Sequence, residues 1–134
     1  MLDLEGKQIK LIDFGVARPY LDNDGNHIKM SDSTFTGNII FSSKNGMANK
    51  SLSRRDDLIS LTYVLLYLLQ GNLSFLISDV SDLDSFKRMF ECKSKASPES
   101  LCEKSGELLG FVREIHNLEF EETPDYEGLR CKLM

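Results

Sequence analysis

SRRDDLISLTYVLLYLLQG (residues 53–71) reads as one long helix with both of its ends marked. Ser53, followed three residues later by Asp56, fits a capping box, in which a hydroxyl and a carboxylate satisfy the free N–H groups of the first turn. Gly71 stands where a left-handed C-terminal cap is wanted, because glycine adopts that conformation without a Cβ clash. Between Leu58 and Leu69, Leu, Ile, Val and Tyr fill almost every position, so no face of the helix is polar. A helix of that kind has to be covered on every side. It is too short to cross a membrane, since residues 58–69 would rise only about 18 Å against the roughly 30 Å of a bilayer core.

Around this helix lies a chain of 134 residues, enough for one domain or a piece of a larger one. Apolar residues make up 41% and charged residues 28%, which fits a soluble folded protein and excludes a wholly disordered one. With 16 Lys and Arg against 21 Asp and Glu the net charge is -5, so the basic footprint of a nucleic-acid binder is missing. Neither nucleic acid nor membrane is an expected partner. Cys92, Cys102 and Cys131 are odd in number and show no CxxC spacing. The opening MLDLEGKQIK lacks the apolar core of a secretory leader, and the expectation is a reducing compartment, the cytoplasm or the nucleus.

Upstream of the long helix, QIKLI (8–12) alternates polar and apolar residues after a lead containing Asp3, Glu5 and Gly6, which predicts a turn and a short strand or hairpin. From Ala17 to Ser53 no helical period survives, and Pro19, Gly25, Gly37 and Gly46 mark a long irregular segment, a kind often functional when ordered. Downstream, Ser81 and Asp84 offer a cap for a helix over about 82–93, and Asp79 to Lys95 reads as a solvated helix face. Ser97-Pro98 starts a short helix, and Leu108, Phe111, Val112 and Ile115 predict an amphipathic helix over 106–117. Thr123-Pro124 starts a last one carrying Leu129 and Leu133. These short helices suffice to cover about half of the long helix.

Asp13-Phe14-Gly15, directly after IKLI, carries the sharpest chemistry. A carboxylate at a strand end can ligate the Mg ion that bridges nucleotide phosphates, and a glycine two residues on lets the backbone turn away. Taken alone, the tripeptide fits an ordinary Asp-containing turn equally well. The series LIDFGVA (11–17), TGNIIFSSKN (36–45), SRRDDLISLTYVLLYLL (53–69) and NLEFEETPDYEGLR (117–130) is more specific. In that order and spacing the chain resembles the casein kinase 1 family of Ser/Thr protein kinases, closely in the long helix and the last third and loosely over 72–105.

The resemblance implies a partial kinase domain over 1–134, in the form of a C-terminal lobe: mainly α, with a short strand near the N-terminus. It implies strand and DFG motif over 8–16, activation segment and substrate loop over 17–52, the central helix over 53–71 and C-terminal helices over 72–134. ATP and Mg are the implied cofactors, with Asp13 the metal- and cofactor-binding residue and Phe14 and Gly15 completing its motif. Asp57 matches the aspartate that supports the catalytic loop from the start of the central helix, a position where a carboxylate also favours the helix dipole. Thr36, Gly37 and Asn38 fall in the substrate loop. Protein substrates, or a protein covering the central helix, are the implied partners.

Several positions depart from the family pattern. After Thr36-Gly37 the family has Thr, Ala and Arg, and here stand Asn38, Ile39 and Ile40. Asn38 imitates the Thr only in part, and Ile40 cannot give the basic surface that suits acidic substrates. Leu21 and Asp22 lie where the family tends to be basic, and Thr62 where it has glycine. The sequence also carries no Gly-rich phosphate lid, strand Lys or HRD-type aspartate. The expectation is therefore a chain inactive as a kinase by itself. It stands either as part of a longer enzyme or as a non-catalytic binding module that uses its bare helix face. His27 and His116 lie far apart with no Cys at ligand spacing, which disfavours a zinc site. Arg54-Arg55, a potential anion site at a helix start, reads first as a brace for the preceding loop.

Overall fold

A computed structural model describes residues 9–77 and 82–134. Among these the protein is helical: α1 (Lys44–Met47), α2 (Arg54–Gln70), α3 (Leu83–Lys95), α4 (Pro98–Leu101), a 3₁₀ turn (Gly106–Leu108), α5 (Leu109–Asn117) and α6 (Tyr126–Cys131). The long helix starts and stops where its sequence marks it. Ser53 N donates to Asp56 Oδ2 at 3.1 Å, and Gly71, at φ 70°, donates its N–H to the carbonyl of Tyr67. The short helices follow the same local chemistry. Ser97 and Ser100 cap one another at the start of α4, ahead of Pro98. The cap of α3 is Asp82, whose carboxylate accepts from Ser85 N at 2.7 Å; Ser81 lies outside the described residues. The last helix begins later than Thr123-Pro124 suggests, because Asp125 takes the cap and accepts from Gly128 N.

The core forms where α5 lies along α2. Phe111, Val112 and Ile115 from α5 meet Ile59, Tyr63 and Leu66 from α2, with Phe75, Met89, Leu101 and Leu129 closing the cluster. Tyr63 and Phe75 meet edge to face at 4.8 Å, a favourable aromatic geometry. Thr62, in the position where the resembling family has glycine, is fully buried; its hydroxyl donates to the carbonyl of Leu58 at 3.0 Å, so its polar atom is satisfied within the helix.

Part of α2 is left uncovered, as the all-apolar helix leads one to expect. Leu61, Leu68 and Leu69 are 42%, 72% and 57% exposed on the side away from α5. The strand expected at the N-terminus is not formed by residues 9–12. Among the described residues only isolated bridges occur, and Ile9 and Leu11 are more than four-fifths exposed. A strand needs a neighbour for its N–H and C=O groups and a cover for its apolar face, and neither is found there among the described residues. The turn expected around Asp3, Glu5 and Gly6 lies outside those residues.

Apart from the one-turn α1, which breaks the irregular stretch expected over 17–53, residues 17–52 are irregular yet tied down. The Leu21–His27 bridge closes a tight turn in which the carboxylate of Asp22 accepts from Asp24 N and Asn26 N. A second tie joins 31–35 to 49–51: Ser33 N bonds to Asn49 O, Ser51 N to Ser31 O, and Lys50 to Asp32 at 2.6 Å. No helix of the described residues is long and apolar enough to cross a membrane.

Candidate functional site

Asp13 sits in a turn whose conformation is unusual for a residue with a side chain. Its φ is 63°, in the left-handed region, and its Oδ1 accepts from Gly15 N at 3.2 Å. That internal bond is the kind that lets aspartate tolerate positive φ, and such residues cluster at functional sites. Phe14 is 65% exposed. One carboxylate suits Mg, which takes few protein ligands and fills its shell with phosphate oxygens and water. Among the described residues no three His, Cys, Asp or Glu side chains gather into a metal-sized cluster.

The two aspartates at the head of α2 divide their work. Asp56 is buried and accepts from Ser43 Oγ (2.7 Å), Asn45 Nδ2 (2.8 Å) and Ser53 N (3.1 Å). It thus ties α1 and the end of the irregular segment to the central helix. Asp57 projects from the exposed side and meets no hydrogen-bond donor among the described residues. Desolvation by the surrounding chain, followed by the charge of Asp56, holds its carboxyl above the ordinary range. A carboxylate in that position is short of donors.

Thr36, Gly37 and Asn38 are exposed, and Gly37 takes φ 113°, where only glycine is at ease. The amide of Asn38 is engaged in its own turn: Oδ1 accepts from Ile40 N at 2.8 Å and Phe41 N at 3.3 Å, and its carbonyl accepts from Ser42 N. No hydrogen bond joins Asp13, Asp57 and this loop to one another among the described residues. Beside the loop, Arg54 lies over the ring of Tyr20 at 4.5 Å and donates to the carbonyl of Glu121. Arg55 lies over Phe120 and donates to the carbonyl of Leu118. Both arginines therefore brace the upstream loop and the 118–121 segment against α2.

Two residues in this region carry roles that the sequence reading gave to neither. Ser43 caps α1, a helix of one turn with no pattern of its own to reveal it. Lys93 contradicts the solvated face expected of α3: it is 2% exposed, and its ammonium reaches the backbone carbonyls of Ile39, Ile40 and Ser42. A signal for it existed. Phe86, Met89, Phe90 and Lys93 fall at i, i+3, i+4 and i+7, so the lysine occupies the apolar stripe of its helix. Of the histidines, His27 meets Phe120 edge to face at 4.9 Å, and burial pushes His116 below the usual imidazole range.

The chain is similar to a probable casein kinase I homolog of Encephalitozoon cuniculi, with 34% identity over 131 residues. The match takes in 94% of this chain and 41% of that protein, so the chain spans about two fifths of the length of this relative. No family model matches the chain. The similarity supports a kinase-family relationship, and the helical architecture fits a fragment of a kinase.

Proposed function

We propose that these residues form the C-terminal-lobe portion, from the DFG motif onward, of a casein-kinase-1-like Ser/Thr protein kinase. The reaction is transfer of the γ-phosphoryl group of ATP to a Ser or Thr hydroxyl of a protein. The observation that carries this reading is the 34% identity extending across 94% of the chain. Asp13 would hold Mg against the phosphates, and the ion would neutralise charge that develops on transfer. The left-handed turn and its bond to Gly15 N fix the direction of that carboxylate. Asp57, without a donor of its own, is available to accept from the backbone of a catalytic loop. Thr36, Gly37 and Asn38 form the rim of the substrate loop. With Asn38 engaged by its own turn and Ile40 in place of a basic residue, a preference for acidic substrates is not part of the proposal.

The 134 residues supply neither a phosphate lid nor a catalytic base, whose loss alone costs about 10²–10⁴-fold in rate. The chain by itself is therefore proposed to be inactive, and catalysis to need those parts from a longer polypeptide. The exposed Leu61, Leu68 and Leu69 favour a second reading, a binding module that docks a protein on this face of α2. Substituting Asp13→Asn in the naturally expressed protein separates the two. Asparagine tolerates the left-handed turn and keeps the bond to Gly15 N while removing the charge. Mg-dependent phosphorylation of protein Ser and Thr falls to background if the kinase reading holds. Capture of a partner without any change in phosphorylation would favour the module.

A further inference from the structure

Lys93 is a lysine inside the core with no acidic partner among the described residues. Its Nζ donates to the carbonyls of Ile39 (2.8 Å), Ile40 (2.7 Å) and Ser42 (2.7 Å), using all three ammonium protons on one short turn. The faces of Tyr63 and Phe75 lie 5.0 and 4.9 Å from the same nitrogen and complete its cage. Burial pushes its pKa down to about 7, against which the carbonyl dipoles and the ring faces act. A group this costly to bury is retained where its bonds specify a conformation.

We propose that Lys93 is a positioning residue for the substrate loop: an ammonium on α3 that holds the Asn38–Ser42 turn through three main-chain carbonyls, so that helix and loop move as one unit. The assignment of this loop to substrate rests on the kinase reading; the latch itself does not. The turn has two holders. Asn38 secures its N–H groups from outside, and Lys93 secures its carbonyls from beneath. The ammonium reads carbonyls and not side chains, so its three bonds do not depend on which side chains stand at 39 and 40, although Ile39 and Ile40 also pack against the core.

The test is amide exchange followed by NMR on the full chain, comparing wild type with Lys93→Met, which keeps the length and apolar stem but has no donor. The three carbonyls can then reach hydrogen bonds only by turning toward water. The amides of Ile40, Phe41 and Ser42 are expected to exchange about tenfold faster or more, the equivalent of one charge-assisted hydrogen bond. Those of Val112 and Ile115 in α5 should stay within about twofold, since trading a buried charge for an apolar side chain is often neutral for global stability. Equal acceleration in the loop and α5 would show a lysine that is merely structural, and no acceleration anywhere would remove the latch; either overturns the proposal. If Lys93→Met does not fold, the wild-type chain still decides. At a pH well below 7, where the amine is protonated, Lys93 should give an ammonium ¹⁵N signal shielded from solvent exchange, and a freely exchanging one overturns the proposal. None of these readouts involves phosphoryl transfer, so an inactive protein would sink the kinase reading and leave this one standing.

Discussion

Replacing Asp56 with alanine removes the acceptor on which three donors converge. The carboxylate is fully enclosed and receives Ser43 Oγ, Asn45 Nδ2 and Ser53 N at 2.7, 2.8 and 3.1 Å. A hydrogen bond to a charged group contributes about 1.5–3 kcal/mol, so the gross loss for three lies at roughly 4.5–9 kcal/mol. Ser43 and Asn45 recover part of this by turning toward other acceptors, and a net loss of about 3–5 kcal/mol is expected, as for other broken buried charge networks. Against a total stability of about 5–15 kcal/mol, such a loss is close to unfolding the chain. Asp56→Asn keeps the volume and one acceptor oxygen and should lose about 1–3 kcal/mol. Asp57→Ala, one residue away and exposed, should change stability by no more than about 0.5 kcal/mol. Urea denaturation followed by far-UV circular dichroism measures all three. An Asp56→Ala variant within 0.5 kcal/mol of wild type, or an Asp57→Ala variant that loses more, refutes the assignment of the brace to Asp56.

Three further outcomes are expected. Leu61→Lys combined with Leu68→Lys should reduce self-association in sedimentation velocity while leaving the urea midpoint in place, because both side chains project from the uncovered face. Gly71→Ala should cost about 1 kcal/mol in the same unfolding assay, since alanine is strained at the φ of 70° that ends α2. The stability of wild type relative to Lys93→Met should rise as pH is raised from about 7 toward 10.5. In that window the unfolded chain keeps the lysine proton that the folded chain gives up, and stability rises with pH wherever the unfolded state binds more protons. A difference that falls with pH, read from urea midpoints across that range, contradicts the burial of this amine.

What the sequence made legible was local. The ends of α2, the start of α4 and the stripe on α5 are written in neighbouring residues, and caps and periods act over one or two turns. The excess of apolar surface on α2 was equally readable, because a helix with no polar face states its need for cover without saying what meets it. Long-range events escaped. The bonds of Lys93 to residues 39–42 span more than fifty positions, and only its place on the Phe86–Met89–Phe90 stripe hinted that a charged residue would turn inward. Asp56 was readable as the capping carboxylate of α2, but its burial under residues 43–45 was hidden for a similar reason. Asp56 and Asp57 are both carboxylates in the first turn, and only the path of residues 43–45 makes one of them buried and the other open. At the N-terminus the alternation over 8–12 suggested a strand, but alternation gives a segment two faces and cannot give it a neighbour to pair with.

The central claim, that these residues are one part of a kinase domain, is tested most directly by the intact mass of the endogenous polypeptide captured with an antibody to its C-terminal residues. The account predicts a species of more than twice 15.2 kDa, in keeping with the two fifths of its relative that the chain spans. A single species at 15.2 kDa would contradict it.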